Sequence, residues 1–299
     1  MTDPAPGATT PRRTIRTRRL ELAYPEPGLA RHYVSGDLVM SHVVSMLSAV
    51  FPEGEDFFVR SVRNYRDRIT DPELKSQVAG FIGQEAMHGR EHRAFNARLG
   101  RLGYPTRLVD RATGLGLRFG ERVLPKPVQL AITAALEHYT ATLAEVLLTD
   151  PEARDLLDIE EVRSLFLWHA LEESEHKAVA FDVYQAVSGN HRVRAWVMNA
   201  VTLGFLVGIG FAAAISAITD PAARDPRRLV RSLRALRGSP WLTKDVRRRI
   251  RAYNRRDFHP DDYDNAELTA EWRERLFGPA GTLTDRVKGP DAGAADLAS

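Results

Sequence analysis

The sequence predicts an all-α protein: a four-helix bundle, then one further long apolar helix and a basic helical C-terminal region. Three observations predict it. Two Glu-x-x-His motifs, Glu85-Ala86-Met87-His88 and Glu173-Ser174-Glu175-His176, sit inside long segments of helical period. Residues three apart share a helix face, so each motif aims a carboxylate and an imidazole the same way. Two other segments each carry one carboxylate, Glu55 and Glu137, on an otherwise apolar stripe. The stripes step by four and three residues without a break, the seam pattern of packed antiparallel helices.

Residues 1–35 read as a basic, disordered arm. Residues 37–50 read as a short helix, interrupted by Phe51-Pro52-Glu53-Gly54; a helix then restarts and runs to Ile69. Asp71-Pro72 is a helix start, with Asp as N-cap and Pro in the first turn. This second helix carries Leu74, Val78, Phe81, Glu85, His88, His92, Phe95 and Leu99 on one stripe and is expected to stop at Gly100. Residues 101–124 form a connection long enough for a crossover. A third helix spans 127–148, with Leu130, Ala134, Glu137, Ala141, Ala144 and Leu148 in register. A fourth spans 159–187 and aligns Val162, Phe166, His169, Glu173, His176, Ala180, Val183 and Val187. The bundle thus occupies residues 36–190, residues 191–265 extend the same domain, and residues 266–299 are a partly disordered tail.

Of the 299 residues, 43% are hydrophobic and 27% charged, which makes most of the chain globular. Cysteine is absent, which excludes disulfides, thiolate metal sites and thiol catalysis and fits a reducing compartment. A metal must then be held by His and carboxylate, a donor set that suits Fe and Mn. The net charge of +3 makes no case for nucleic acid, although arginines crowd into 12–19 and 224–256. Residues 1–20 contain no apolar signal-peptide core, so a cytoplasmic protein is expected.

Residues 195–219 carry no charge and are long enough to cross a bilayer. Small residues recur every fourth position through Ala200, Gly204, Gly208, Ala212 and Ser216, a pattern that lets helices approach closely. A single span would put the bundle and the basic tail on opposite sides, yet both belong in the cytoplasm. The helix is therefore expected to pack on the bundle through its small-residue face and to offer its apolar face to lipid or to a second copy of the chain. The Arg-rich 224–256 stretch would meet anionic headgroups at the inner face of the membrane.

Four Glu and two His converging in one helical core form the ligand set of a di-iron or di-manganese site. Without cations between them the buried carboxylates would repel one another. The order Glu, Glu-x-x-His, crossover, Glu, Glu-x-x-His resembles the ferritin-like di-iron carboxylate superfamily, which implies a ferritin-like bundle. Within it, the stretches 51–58, Gln84 to His88, Glu137 to Ala141 and Trp168 to Tyr184 resemble a bacterial family described as "predicted metal-dependent hydrolase". That resemblance covers roughly residues 30–265 and implies Glu55, Glu85, His88, Glu137, Glu173 and His176 as ligands. Glu172 would orient a ligating histidine, as an acidic residue before the second motif often does in the superfamily, and Gln84 holds the matching place before the first motif. His92 and His169 lie one turn beyond the motifs. They read as hydrogen-bonding support, a proton relay or further ligands, or else as buried histidines satisfied by carboxylates. His138 points about 100° away from Glu137 and reads as structural. Phe258-His259-Pro260 reads as a turn.

The expected cofactor is a pair of metal ions, iron first and Mn or Zn as alternatives. Glu85 and Glu173 would bridge them, His88 and His176 would cap one ion each, and Glu55 and Glu137 would complete the set. The favoured chemistry is O₂-activating oxidation of a small hydrophobic or lipid-like substrate. The alternative is hydrolysis of an ester or amide by water activated between the ions. A third reading is a non-catalytic metal-binding or iron-storage module. A peripheral membrane contact and a homodimer are the expected associations; nucleic acid is not.

Overall fold

A computed structural model describes residues 15–24 and 28–288, and every regular element among them is helical apart from one isolated backbone bridge between Leu20 and Val287. Helix α1 (Leu38–Arg63) starts at Asp37, whose carboxylate accepts from the Met40 N–H at 2.8 Å. The interruption expected at Pro52 does not occur, and α1 runs through it. Pro52 has no N–H to offer the Ser48 carbonyl. Asn96 Nδ2 on the neighbouring helix donates to that carbonyl at 2.8 Å instead. The helix ends at Arg63, and 66–68 form a single 3₁₀ turn rather than a continuation to Ile69.

Helix α2 (Pro72–Arg101) begins as expected, with the Asp71 carboxylate accepting from Glu73 N–H at 2.9 Å. It passes Gly100 and stops at Leu102-Gly103, where Gly103 takes φ +91°. A positive φ, not glycine alone, ends the helix. The crossover is itself helical, α3 (Thr106–Val123). After it come α4 (Lys126–Thr149), the short α5 (Pro151–Asp155) and α6 (Glu160–His176). The expected single helix over 159–187 is two, because α7 (Val179–Val187) follows a break at Lys177-Ala178. No Gly or Pro marks that break. It coincides with buried Lys177, whose ammonium donates to the Tyr263 carbonyl.

α1 pairs with α2, and α4 pairs with α6 and α7. These rods enclose both Glu-x-x-His motifs. Helix α8 (His191–Ile218) lies across α1 and α4, α9 (Pro226–Arg237) packs on α1, α10 (Lys244–Ala252) on α4, and α11 (Ala266–Phe277) on α6.

Three expectations need correction. Residues 15–24 and 28–35 are not a loose arm: Ile15, Leu20, Leu22, Leu29, Tyr33 and Val34 are buried. Two glycines of α2 make room for the segment. A Cβ at Gly80 would sit 2.5 Å from Ile15 O, and one at Gly83 would sit 2.0 Å from Thr17 Oγ1. Residues 266–288 are not a loose tail either. Trp272, Leu276 and Leu283 are buried, and Lys288 N–H donates to Arg19 O at 2.8 Å. The remainder of the arm and tail, 1–14 and 289–299, lies outside the described residues. Finally, α8 packs through only the C-terminal end of its ladder of small residues. Ser216 is buried and Ala212 half-buried against the core, beside Val197, Met198, Ala213 and Ala217, and Phe205 packs on Tyr139 with ring centroids 5.3 Å apart. Ala200, Gly204 and Gly208 point outward, and a Cβ at either glycine would touch nothing within 4 Å.

Candidate metal centre

Four helices each bring their part to one point. Glu55 comes from α1, Glu85 and His88 from α2, Glu137 from α4, and Glu173 and His176 from α6, all at most 3% exposed. His176 Nε2 lies 3.1 Å from Glu85 Oε1, 3.2 Å from Glu137 Oε2 and 3.6 Å from Glu173 Oε1. His88 Nδ1 lies 3.8 Å from the same Glu85 oxygen and 3.7 Å from the same Glu173 oxygen. Glu85 and Glu173 therefore stand between the two imidazoles. Donor atoms of Glu85, Glu137 and His176 lie within 4.8 Å of one another, as do those of Glu55, Glu85 and His88.

Hydrogen bonding shows what this cluster lacks. Both oxygens of Glu55, Glu85 and Glu137, together with Glu173 Oε2, His88 Nδ1 and His176 Nε2, are buried without a hydrogen-bond partner. Buried polar atoms are ordinarily paired. Nine unpaired acceptor-type atoms turned toward one another fit divalent cations, and their chemistry, carboxylate oxygen and imidazole nitrogen, suits such ions.

The far side of each imidazole is held. His88 Nε2 lies 3.0 Å from Glu172 Oε2, and His176 Nδ1 lies 2.8 Å from Gln84 Oε1. Gln84 Nε2 donates to Arg16 O at 3.0 Å and to Glu175 Oε2 at 2.8 Å, which fixes its oxygen toward His176. Each histidine therefore donates outward and turns its other ring nitrogen to the cluster, an arrangement assigned from the network. The arrangement is crossed: the residue before the first motif orients the second motif's histidine, and the reverse. Arg18 anchors both halves, donating to Glu172 Oε1 at 2.9 Å and to both oxygens of Glu175 at 2.8 Å.

A third histidine joins them. Ser48 Oγ donates to Asn96 Oδ1 at 2.7 Å, so it must accept from His92 Nδ1–H at 2.8 Å. His92 Nε2 then accepts from His169 Nδ1–H at 2.7 Å. That leaves His169 Nε2 facing Glu173 Oε1 at 2.9 Å and Glu55 Oε1 at 3.8 Å.

The electrostatics agree. Burial, reinforced by Glu137, pushes the Glu85 carboxyl up to about 8; burial, reinforced by Glu173, pushes Glu137 up to about 7. Burial also raises Glu55 well above its ordinary value. Burial opposes charging His176, yet Glu137 and Glu173 outweigh it and hold the imidazole protonated well above its ordinary range. Burial and the neighbouring His169 keep His88 neutral. The ion-free cluster thus collects protons where it would otherwise hold positive metal.

His138 and His259 contribute no atom to the cluster. His138 Nε2 donates to Arg249 O at 3.0 Å, and His259 meets Asp182 Oδ1 at 2.8 Å within a 3₁₀ turn. His32, His42 and Asp220 form another close group, but Arg31 Nε lies 2.7 Å from Asp220 Oδ2 and a guanidinium of Arg228 meets His32 Nδ1 at 2.8 Å. Arginine already supplies the cation there. Arg18, Glu175, Ser48 and Asn96 are the supports that sequence reasoning missed; Glu175 is an intervening residue of the second motif, the other three belong to none, and Arg18 lies within a stretch that reads as disordered.

With this geometry the chain belongs to the family described as "Predicted metal-dependent hydrolase", which matches residues 16–264. No curated protein and no solved structure matches it.

Proposed function

We propose that the protein is a dimetal hydrolase of an ester or amide, built on a ferritin-like bundle. The observation that carries this reading is the cluster of nine unpaired donor atoms, with both motif histidines turning a ring nitrogen to it. The family match supports hydrolysis and lends nothing to the oxidative expectation. Glu85 and Glu173 would lie between the ions. His88 and His176 would bind one each, Glu137 would complete the His176 end, and Glu55 and His169 would complete the other. Bound there, two divalent ions would supply Lewis acidity toward a carbonyl and lower the pKa of water. The chain's own part is placement. Gln84 and Glu172 orient the imidazoles, and Arg18 fixes Glu172. Phe81, Trp168 and Phe51 lie with ring centroids 5.0 Å from His176, His88 and His169 and exclude bulk water.

The test is reconstitution of chelated protein with Zn(II), Mn(II) or Fe(II), followed by ester and amide hydrolysis. Hydrolysis by the Zn(II) or Mn(II) form, absent from chelated protein, is expected. An Fe(II) form that consumes O₂ while no form hydrolyses any substrate would restore the oxidative reading.

A further inference from the structure

Thirteen of the fourteen large apolar side chains that stand exposed among the described residues lie on α3, α8 and α9. All three helices pack on α1, and α3 and α8 both also touch α4, so the exposed stripes crowd around one helix pair. Helix α3 is oriented against the usual rule. Leu108, Leu115, Phe119 and Val123 form one stripe and are 56–67% exposed. Only Val109 and Leu117 of its apolar residues turn toward the core, and the rest of the face toward α1 is small and polar. Gly114 lies against Glu53, Arg118 donates to Glu53 at 3.0 Å, and Arg60 donates to Glu121 at 2.7 Å. A soluble helix turns its apolar stripe inward. Here the stripe faces out, beside the exposed Arg107, Arg111, Arg118 and Arg122.

Helix α8 repeats the pattern with Trp196, Leu203, Val207, Phe211 and Ile218. It is long and apolar enough to cross a membrane by length and composition, but it is fastened along its whole length to one body. Arg194 donates to the carbonyls of Tyr253 and Arg255 near its start. Phe205 stacks on Tyr139 at its middle, and Ser216 meets His42 Nδ1 at 2.7 Å near its end. A spanning helix would carry its two ends to opposite sides of a bilayer. This one lies flat along the protein. Helix α9 adds five arginines and no acid, with Val230 and Leu233 exposed among them.

We propose that this layer docks the protein flat on an anionic phospholipid bilayer. The stripes of α3 and α8 enter at headgroup depth, and the arginines of α3 and α9 meet the phosphates. Apolar stripes edged with arginine, on helices packed around one helix pair, are what such a surface takes up. The charge favours lipid over a second copy of the chain: the arginines of α9, with no acid among them, complement phosphate and not another surface of the same sign. The inference stands apart from the hydrolase reading, since nothing in it involves the cluster.

Co-flotation of metal-loaded full-length protein with phosphatidylcholine vesicles, with or without equimolar phosphatidylglycerol, tests it. The protein should float with the anionic vesicles, several-fold less with the neutral ones, and less as salt rises. Trp196, 67% exposed, should be quenched by brominated lipid. Leu115→Asp with Phe119→Asp should bind at least roughly tenfold more weakly, since two apolar side chains no longer enter the bilayer. Arg231→Glu with Arg234→Glu should abolish the preference for anionic lipid. An unchanged circular dichroism spectrum and unfolding temperature in both variants would show that they fold. Equal flotation with both vesicles, or none with either, would overturn the proposal. So would a stable dimer that the α3 variant dissociates while lipid leaves Trp196 unquenched.

Discussion

The centre of the bundle and the outer layer of α3 and α8 depart from ordinary soluble-protein composition in opposite directions. The centre buries four carboxylates and three histidines where apolar residues are expected. The outer layer exposes leucine, valine and phenylalanine where charge is expected. Each is costly for an isolated chain in water, and each becomes reasonable once a partner is supplied. On the readings proposed above, cations would answer the first and lipid the second: in each case the chemistry of the misplaced groups points to the partner.

The comparison breaks most easily at the centre. Glu85→Ala or Glu173→Ala should lose the metal pair altogether, because each carboxylate faces both motif histidines. Elemental analysis of the purified variants checks this; a retained pair would refute the arrangement. The chelated Glu85→Ala variant should be no less stable than the chelated parent at pH 8, since Glu85 is a repelled group there; chelated Glu173→Ala should be less stable, since His176 and His169 hold that carboxylate.

The pH dependence follows next. In chelated protein, Glu85 and Glu137 have folded pKa values of about 8 and 7 against an ordinary 4.5. Folding takes up protons between those limits, so their contribution falls as pH rises from about 4.5 to about 8. The raised His176 adds to the same slope, because its stabilising proton leaves as pH rises through its folded pKa. Glu173, held low by His176 and His169 against burial, acts only at lower pH. The stability these carboxyls lend to chelated protein should therefore drop across this window, and the melting temperature with it, offset in part by His88, whose lowered pKa favours the folded state as pH rises toward its ordinary value. Metal affinity should rise across it, because ions displace those protons. Calorimetric titration in buffers of different ionisation heat would reveal the released protons; none released would contradict the protonated cluster.

Supports of the imidazoles should matter less. Arg18→Ala or Glu172→Gln should weaken metal binding by roughly ten- to a hundredfold without abolishing it, read by competition with a chelating dye. Asn96→Ala strips the Ser48 carbonyl of its donor at the proline and should cost about 1–3 kcal/mol in thermal unfolding. The smallest effect belongs to the outer layer. Phe119→Asp without lipid should change stability by no more than about 0.5 kcal/mol, as an exposed site does.

The helices and the convergence of the six motif residues were legible in the sequence because a heptad-like stripe and a three-residue spacing are local properties. What was not legible was set by residues distant in the chain. Pro52 reads as a stop until Asn96 arrives from α2 with the missing donor. Arg18 reads as part of a disordered arm until Gly80 and Gly83 give the chain a groove. The break at Lys177 has no local signal. The ladder of small residues on α8 read as the packing face, and only its Ala212–Ser216 end packs, while Ala200, Gly204 and Gly208 face out. The outward stripe of α3 was within reach: Leu108, Leu115, Phe119 and Val123 have helical spacing, but spacing does not say which way a stripe turns.

The central claim is that two ions share the pocket between α1, α2, α4 and α6. Counting metal by elemental analysis in protein purified without added metal, and again after reconstitution with Zn(II) or Mn(II), tests it most directly. A pair per chain, reached in one cooperative step and absent from the Glu85→Ala variant, is the predicted result. A protein that takes up no metal after reconstitution, or saturates at a single ion that the variant still binds, would contradict the account.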